Sequence, residues 1–290
     1  MQMRTTRTLP CILSLLALAT LLAAPAGAQA AVPPLNPGTV LLSTPAGAGT
    51  AVDFASNPIP ADFFCPGSAP FNGAVALQGV PLATNPAGIT GGADTIVEHL
   101  TTGTFNTSGV ASFSAVLRAM RLRSSGTLAV TCGDGSTTSW RVDVCACGTQ
   151  TATKVVAKLD PACNNCGTAT GTLAVNVCVT FTDVNSGRVA GPIRQTLTLN
   201  LTNSGTGGTP WCFRPGLGEP VVSQPFQVDT NCDNQPDLTV RPSANFHTGY
   251  KCATQGQDCL ALFGSLTHCH DTIPPSDKLH CVNPVCDKRQ

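Results

Sequence analysis

The stretch TLAVNVCVTFT, Thr172 to Thr182, decides the fold. Leu173, Val175, Val177, Val179 and Phe181 alternate with Thr172, Ala174, Asn176, Cys178, Thr180 and Thr182. A period of two sends successive side chains to opposite faces, so the stretch is a half-buried antiparallel strand. Asn185-Ser186-Gly187 supplies a turn, after which Leu197, Leu199 and Leu201 alternate with Thr196, Thr198, Asn200 and Thr202. Working outward, strands are expected at 95–100, 110–122, 127–132, 139–147 and 153–159. Asn106-Thr107-Ser108-Gly109 and Gly133-Asp134-Gly135 provide hairpin chemistry between some of them. One short helix is expected around Cys259–Leu266, and no internal repeat is found. Short strands with frequent turns define an all-β protein: an antiparallel β-sandwich-like body with a disulfide-rich, mostly irregular C-terminal segment.

Composition narrows the role. Sixteen basic and 16 acidic side chains give 290 residues no net charge, so the basic field that drives nucleic-acid binding is missing. With 42% apolar residues the chain can build a core. Five lysines and two glutamates are far too few for long charged helices. Residues 1–30 carry Arg4 and Arg7, an apolar run from Cys11 to Ala24, and small-residue cleavage patterns at Ala26-Gly27-Ala28 and Ala28-Gln29-Ala30. That layout is a secretory signal peptide, and the apolar run is shorter than the roughly 20 residues of a spanning helix. The expected address is secreted or periplasmic, with no stable membrane anchor after signal removal. The alanine-, glycine- and proline-rich composition fits a GC-rich bacterial source.

Removing Cys11 with the signal leaves fourteen of the fifteen cysteines, an even number in an exported chain, as a disulfide framework requires. The candidates are Cys65, Cys132, Cys145, Cys147, Cys163, Cys166, Cys178, Cys212, Cys232, Cys252, Cys259, Cys269, Cys281 and Cys286. Their density divides the chain into a cysteine-poor β-rich region (31–128), a sandwich-like region (129–210) and a cysteine-rich segment (211–290). Only Cys65 lies in the first region, and thirteen cysteines cannot pair among themselves, so full oxidation must tie the first region to the rest. Trp140, Val142, Val144 and Ala146 form an apolar face, which puts Cys145 and Cys147 on the opposite one, as with Cys178 on its own strand. Two residues apart on a strand is nearly 7 Å, too far for one disulfide, so Cys145 and Cys147 need different partners. All three outward cysteines are expected to meet the C-terminal segment, folded back over the sheet.

Three local patterns could carry chemistry. Asp229, Asn231, Asp233 and Asp237 place oxygen side chains at positions 1, 3, 5 and 9 of a tight loop. Such spacing wraps hard oxygens around a calcium ion, and the loop resembles those of thrombospondin type 3 repeats and, more loosely, of EF-hands. That resemblance implies calcium held by Asp229, Asn231, Asp233 and Asp237 side chains and by the Gln235 carbonyl. The loop departs from the pattern with Asn234 at position 6, Cys232 at position 4 and Val240 at position 12. An Asx-rich polar turn is the competing reading. His268, His270 and His280 form a zinc or copper candidate, with Cys269 and Cys281 beside them more useful as half-cystines. Cys163-Asn164-Asn165-Cys166 has redox-dithiol spacing but lacks the helix N-terminus that chemistry needs, and reads as a stapled turn.

Hydrolase signatures are missing: there is no Gly-x-Ser-x-Gly elbow, His-Glu-x-x-His helix or phosphate-binding Gly-rich loop. Glu98-His99 reads as an ordinary surface pair. Trp140 belongs to the core, while Trp211 sits in a loop beside Cys212, either packed on a disulfide or exposed for carbohydrate stacking. Asn106-Thr107-Ser108 and Asn200-Leu201-Thr202 are glycan acceptors only in a eukaryotic host. The expected function is binding or structural, with the ligand open and calcium as a stabiliser. The alternative is a secreted hydrolase whose site is assembled from separated loops.

Overall fold

The computed structural model describes residues 32–44, 46–47, 50–161, 163–200, 208–215, 219–248, 258–260 and 268–270. In chain order the strands begin with β1 (Gly38–Leu42), β2 (Ala51–Asp53), β3 (Ala74–Gly79), β4 (Thr84–Asn85) and β5 (Thr95–His99). The central elements are β6 (Val110–Ser124), β7 (Leu128–Thr131), β8 (Thr137–Ala146), β9 (Thr153–Asp160), β10 (Cys163–Asp183) and β11 (Val189–Asn200). There follow β12 (Thr209–Cys212), β13 (Phe226–Val228), β14 (Leu238–Val240), β15 (His247–Thr248), β16 (Asp258–Leu260) and β17 (His268–His270). The protein is all-β, and every ladder between these strands is antiparallel. Among the described residues no helix is long and apolar enough to cross a membrane.

Two long strands organise the sandwich-like body. The first half of β6 pairs with β5 and β9, and its last residues pair with β3 and β8. In β10, residues before Thr172 pair with β9 and β12, and those after it pair with β8 and β11. Each strand therefore passes from one layer into the other. The alternation expected for β10 holds to its end: Leu173, Val175, Val177, Val179 and Phe181 are all buried. In β6 the phase changes once. Ala111, Phe113 and Ala115 face inward before the register shift near Arg118, and Met120 and Leu122 face inward after it. The extra residue is a β-bulge, and without it Met120 and Leu122 would turn away from the main core.

The main core runs from Phe54, Phe64, Trp140 and Phe181 to Phe113, Trp211 and Phe246. A smaller cluster (Leu41, Leu82, Ile96, Val222, Phe226 and Val228) packs with the three-stranded sheet β14-β13-β4. The 242–248 segment reaches both edges of one layer. Thr39 N–H donates to the Pro242 carbonyl at 2.8 Å and Ala244 N–H to the Thr39 carbonyl at 2.7 Å, while β15 pairs with β12. Residues Pro33–Gln290 form a single compact unit.

Four disulfides are resolved among the described residues, as the export reading requires. Cys65–Cys132 spans 67 residues and joins the cysteine-poor region to the next, as arithmetic demanded. Cys145–Cys232 and Cys166–Cys212 tie the C-terminal segment to the sheet. Cys147 and Cys178 correct the expectation, since they bond to each other across β8 and β10. In the β8–β10 register Cys178 lies opposite Cys145, but Cys145 bonds to Cys232, and Cys178 bonds to Cys147 just past the end of β8. The stapled turn at Cys163–Cys166 is also overturned. Those residues form a wide bulge at the start of β10, and Cys166 bonds to Cys212 directly opposite it. The helix expected from Cys259 is replaced at its start by β16, paired with β17.

Candidate functional site

Where β10 ends, three loops converge on an open groove of about 590 Å³. The β7–β8 turn contributes Gly133, Asp134 and Ser136, the β10–β11 turn Asp183, Ser186 and Arg188, and the third loop Cys65, Pro66 and Gly67. Both hairpin turns follow from turn chemistry. Asp134 Oδ1 accepts from the Ser136 N–H at 2.9 Å and its hydroxyl at 2.6 Å, while Gly135 supplies the φ of 80° that the reversal requires. Asp183 accepts from the Asn185 N–H at 3.0 Å and the Ser186 hydroxyl at 2.6 Å. The third loop is fixed to the first by Cys65–Cys132 and by Gly133 N–H donating to the Pro66 carbonyl at 2.8 Å. The backbones meet so closely that a Cβ on Gly133 would lie 2.9 Å from Gly67 Cα. These loops are held in place before any ligand arrives.

Two carboxylates and one guanidinium line the groove. The Ser136 hydroxyl and N–H hold the Asp134 carboxyl below its usual range, and the Ser186 hydroxyl and Asn185 N–H do the same for Asp183. Both are ionised at neutral pH. The Arg188 guanidinium lies 4.9 Å from the centre of the Trp140 ring, whose indole N–H donates to the Thr138 hydroxyl at 2.8 Å. Trp140 is fully buried, as expected of a core residue.

The Asp229–Asp237 loop coils around its first carboxylate. Asp229 Oδ1 accepts from Asn231 and Cys232 N–H at 3.1 and 2.7 Å, and Oδ2 from Asn234 N–H at 2.7 Å. Asn231 Oδ1 accepts from Asp233 N–H at 2.9 Å, and Asp233 Oδ1 from Gln235 N–H at 2.7 Å. Asp237 accepts from the Thr230 N–H and hydroxyl. Cys232 and Asn234 adopt φ of 65° and 67°, so position 6 takes the left-handed conformation without glycine. The loop is anchored through Cys145–Cys232 and by Arg121 donating to Asn234 Oδ1 at 2.6 Å. Among the described residues no three His, Cys, Asp or Glu side chains gather as a metal would need. His268 and His270 lie in β17, opposite Leu260 and Asp258, while His280 lies outside the described residues.

The burial of Asp94, Glu98 and His99 escaped sequence reasoning. Asp94 accepts from Thr44 N–H and from the Thr44 and Thr95 hydroxyls, and sits where a Cβ on Gly79 would overlap it. Burial raises it to about 6, against the lowering pull of those hydrogen bonds. Glu98 and His99 correct the surface-pair reading, since both are buried. Glu98 accepts from Arg118 at 2.6 Å. His99 lies against Phe113 and Phe246, with ring centroids 4.1 and 4.8 Å away, and burial with the field of His247 lowers it to about 3. Trp211, expected in a loop, stacks in β12 between Phe105 and Phe246 and is fully buried.

The chain matches no family of known proteins, no curated protein and no solved structure, so its function is argued from its own residues.

Proposed function

We propose that this is an exported binding module, stabilised by disulfides, that engages its ligand in the groove at the Asp183 end of β10. One observation carries the reading: three loops from distant parts of the chain meet there, and a disulfide and direct backbone contact fix two of them together. Loops set before binding spare the ligand the cost of ordering them. Several disulfides are typical of proteins outside the cytoplasm.

The carboxyls of the groove favour binding over the hydrolase alternative. A hydrolytic acid needs a carboxyl raised toward neutrality. Asp134 and Asp183 are shifted the other way, and the raised Asp94 is not among the groove residues. The test is a nuclear magnetic resonance titration of the oxidised, isotope-labelled chain with a library of small polar fragments. Shifts concentrated at Cys65–Gly67, Gly133–Ser136 and Asp183–Arg188 support the reading. Shifts concentrated anywhere else contradict it.

A further inference from the structure

The groove offers hydrogen-bonding groups that the protein leaves open, and their kinds define what fits. The side-chain and backbone bonds from Ser136 to Asp134, a residue that lines the groove, fall on Oδ1, leaving Oδ2 open as an acceptor. Arg188 places its guanidinium over Trp140, and its side-chain N–H groups form no hydrogen bond or ion pair among the described residues. A guanidinium has five N–H donors and no acceptor, and an ionised carboxylate only accepts. The ligand must therefore accept from Arg188 and donate to Asp134. Ser136, Thr138 and Ser186 add hydroxyls that do both.

Charge narrows the class. A cation in the groove would meet Arg188, and an anion would meet Asp134 and Asp183, each held ionised by its own turn. A neutral ligand avoids both penalties. A peptide would need an apolar pocket for an anchoring side chain, whereas here the apolar contribution is Pro66 and the Cys65–Cys132 disulfide. A neutral molecule dense in hydroxyls needs no such pocket, since each hydroxyl donates and accepts at once. Resting on the binding reading above, we propose that the groove binds an uncharged oligosaccharide, with Asp134 accepting from sugar hydroxyls and Arg188 donating to them.

The test is a printed array of neutral, acidic and basic glycans probed with the oxidised full chain, followed by calorimetry on any binder. Pentalysine and oligogalacturonate serve as charged controls. The expected result is a neutral oligosaccharide whose Kd changes less than about twofold between 50 and 500 mM salt, because no net charge is paired. Asp134→Asn and Arg188→Met should each weaken it about tenfold or more, the loss expected for a hydrogen bond to a charged group. Circular dichroism of both variants confirms that they are folded. Tight, salt-sensitive binding of pentalysine or oligogalacturonate with no neutral binder overturns the neutral class. Silence of every neutral glycan also overturns it, and if polar fragments still seat in the groove, the binding reading survives that failure.

Discussion

The two ends of β10 solve opposite problems. At the Asp183 end, the carboxylates of two turns, Asp134 exposed and Asp183 buried, are ionised and bonded by their own backbone and hydroxyls. At the Cys166 end, Trp211 is stacked among Phe105, Phe213 and Phe246, and the nearby Trp211 Nε1, Thr209 Oγ1 and Thr248 Oγ1 are buried with no hydrogen-bond partner among the described residues. Buried polar atoms without partners cost stability, so the packing around them must outweigh that cost. Both ends rest on aromatic clusters, Phe54, Phe63, Phe64, Trp140 and Phe181 at the Asp183 end, but the Cys166 end is packing alone, whereas the Asp183 end also carries the groove for which we propose recognition.

Trp211→Ala should remove the most, about 3–5 kcal/mol as for other buried aromatics, while fragments still seat in the groove. Thermal unfolding checks it, and a loss below about 1 kcal/mol would place stability elsewhere. Cys65→Ala with Cys132→Ala should cost about 2–5 kcal/mol and also abolish groove binding, because it releases the strap between two loops. Cys147→Ala with Cys178→Ala is the sharpening control: its bridge spans 31 residues and does not line the groove, so binding should persist.

The buried pair Asp94 and His99 gives opposing pH dependences. Asp94 titrates near 6 in the folded chain against 3.8 for the free carboxyl, so the folded state holds the extra proton between those values. Its contribution makes stability fall as pH rises from about 4 to about 6, by at most about 1.4 kcal/mol per pH unit. His99 titrates near 3 against 6.5, so below 6.5 the unfolded chain takes up a proton that the folded one refuses. Its contribution makes stability rise with pH from about 3 to about 6.5. Near pH 5 the slopes oppose. Asp94→Asn should expose the His99 slope alone, so that the variant loses stability on acidification more steeply than the parent. Urea unfolding from pH 4 to 7 decides this, and an unchanged slope would mean that Asp94 is not buried as described.

The smallest effect concerns calcium. In the loop both Asp229 oxygens already accept the loop's own N–H groups, so adding calcium to chelated protein should move the melting temperature by less than about 2 °C. Saturating a resident site about 1,000-fold would add about 4 kcal/mol, or roughly 8–16 °C in a domain of this size. A rise of that order would support the calcium reading.

Much of the sheet was legible in the sequence because alternation is a local signal. The faces of Trp140–Ala146 and of Leu173–Phe181 were readable, and with them the outward direction of Cys145, Cys147 and Cys178. Which outward cysteine meets which was hidden, because no local signal shows that β8 lies beside β10. The bulge at Cys163–Cys166 looked like a turn because its spacing is that of a stapled one, whereas the cross-strand partner Cys212 is 46 residues away. Trp211 follows a Gly-Thr-Pro string that reads as loop, and tertiary pairing with β10 and β15 overrode it. The groove had half a signal. Gly133-Asp134-Gly135 and Asn185-Ser186-Gly187 were legible as turns, and solitary Cys65 announced a long-range tie. That these three features meet is a fact of topology.

The most direct test of the division is a paired measurement on Arg188→Met, taking fragment binding and melting temperature on the same sample. Arg188 caps the groove side of Trp140, and an exposed cation–π contact is worth about 0.5–1 kcal/mol. The account predicts that fragments no longer seat in the groove while the melting temperature falls by no more than roughly 4 °C. A fall beyond about 8 °C with fragment binding unchanged would contradict it, making Arg188 a structural residue and the groove an incidental hollow between turns.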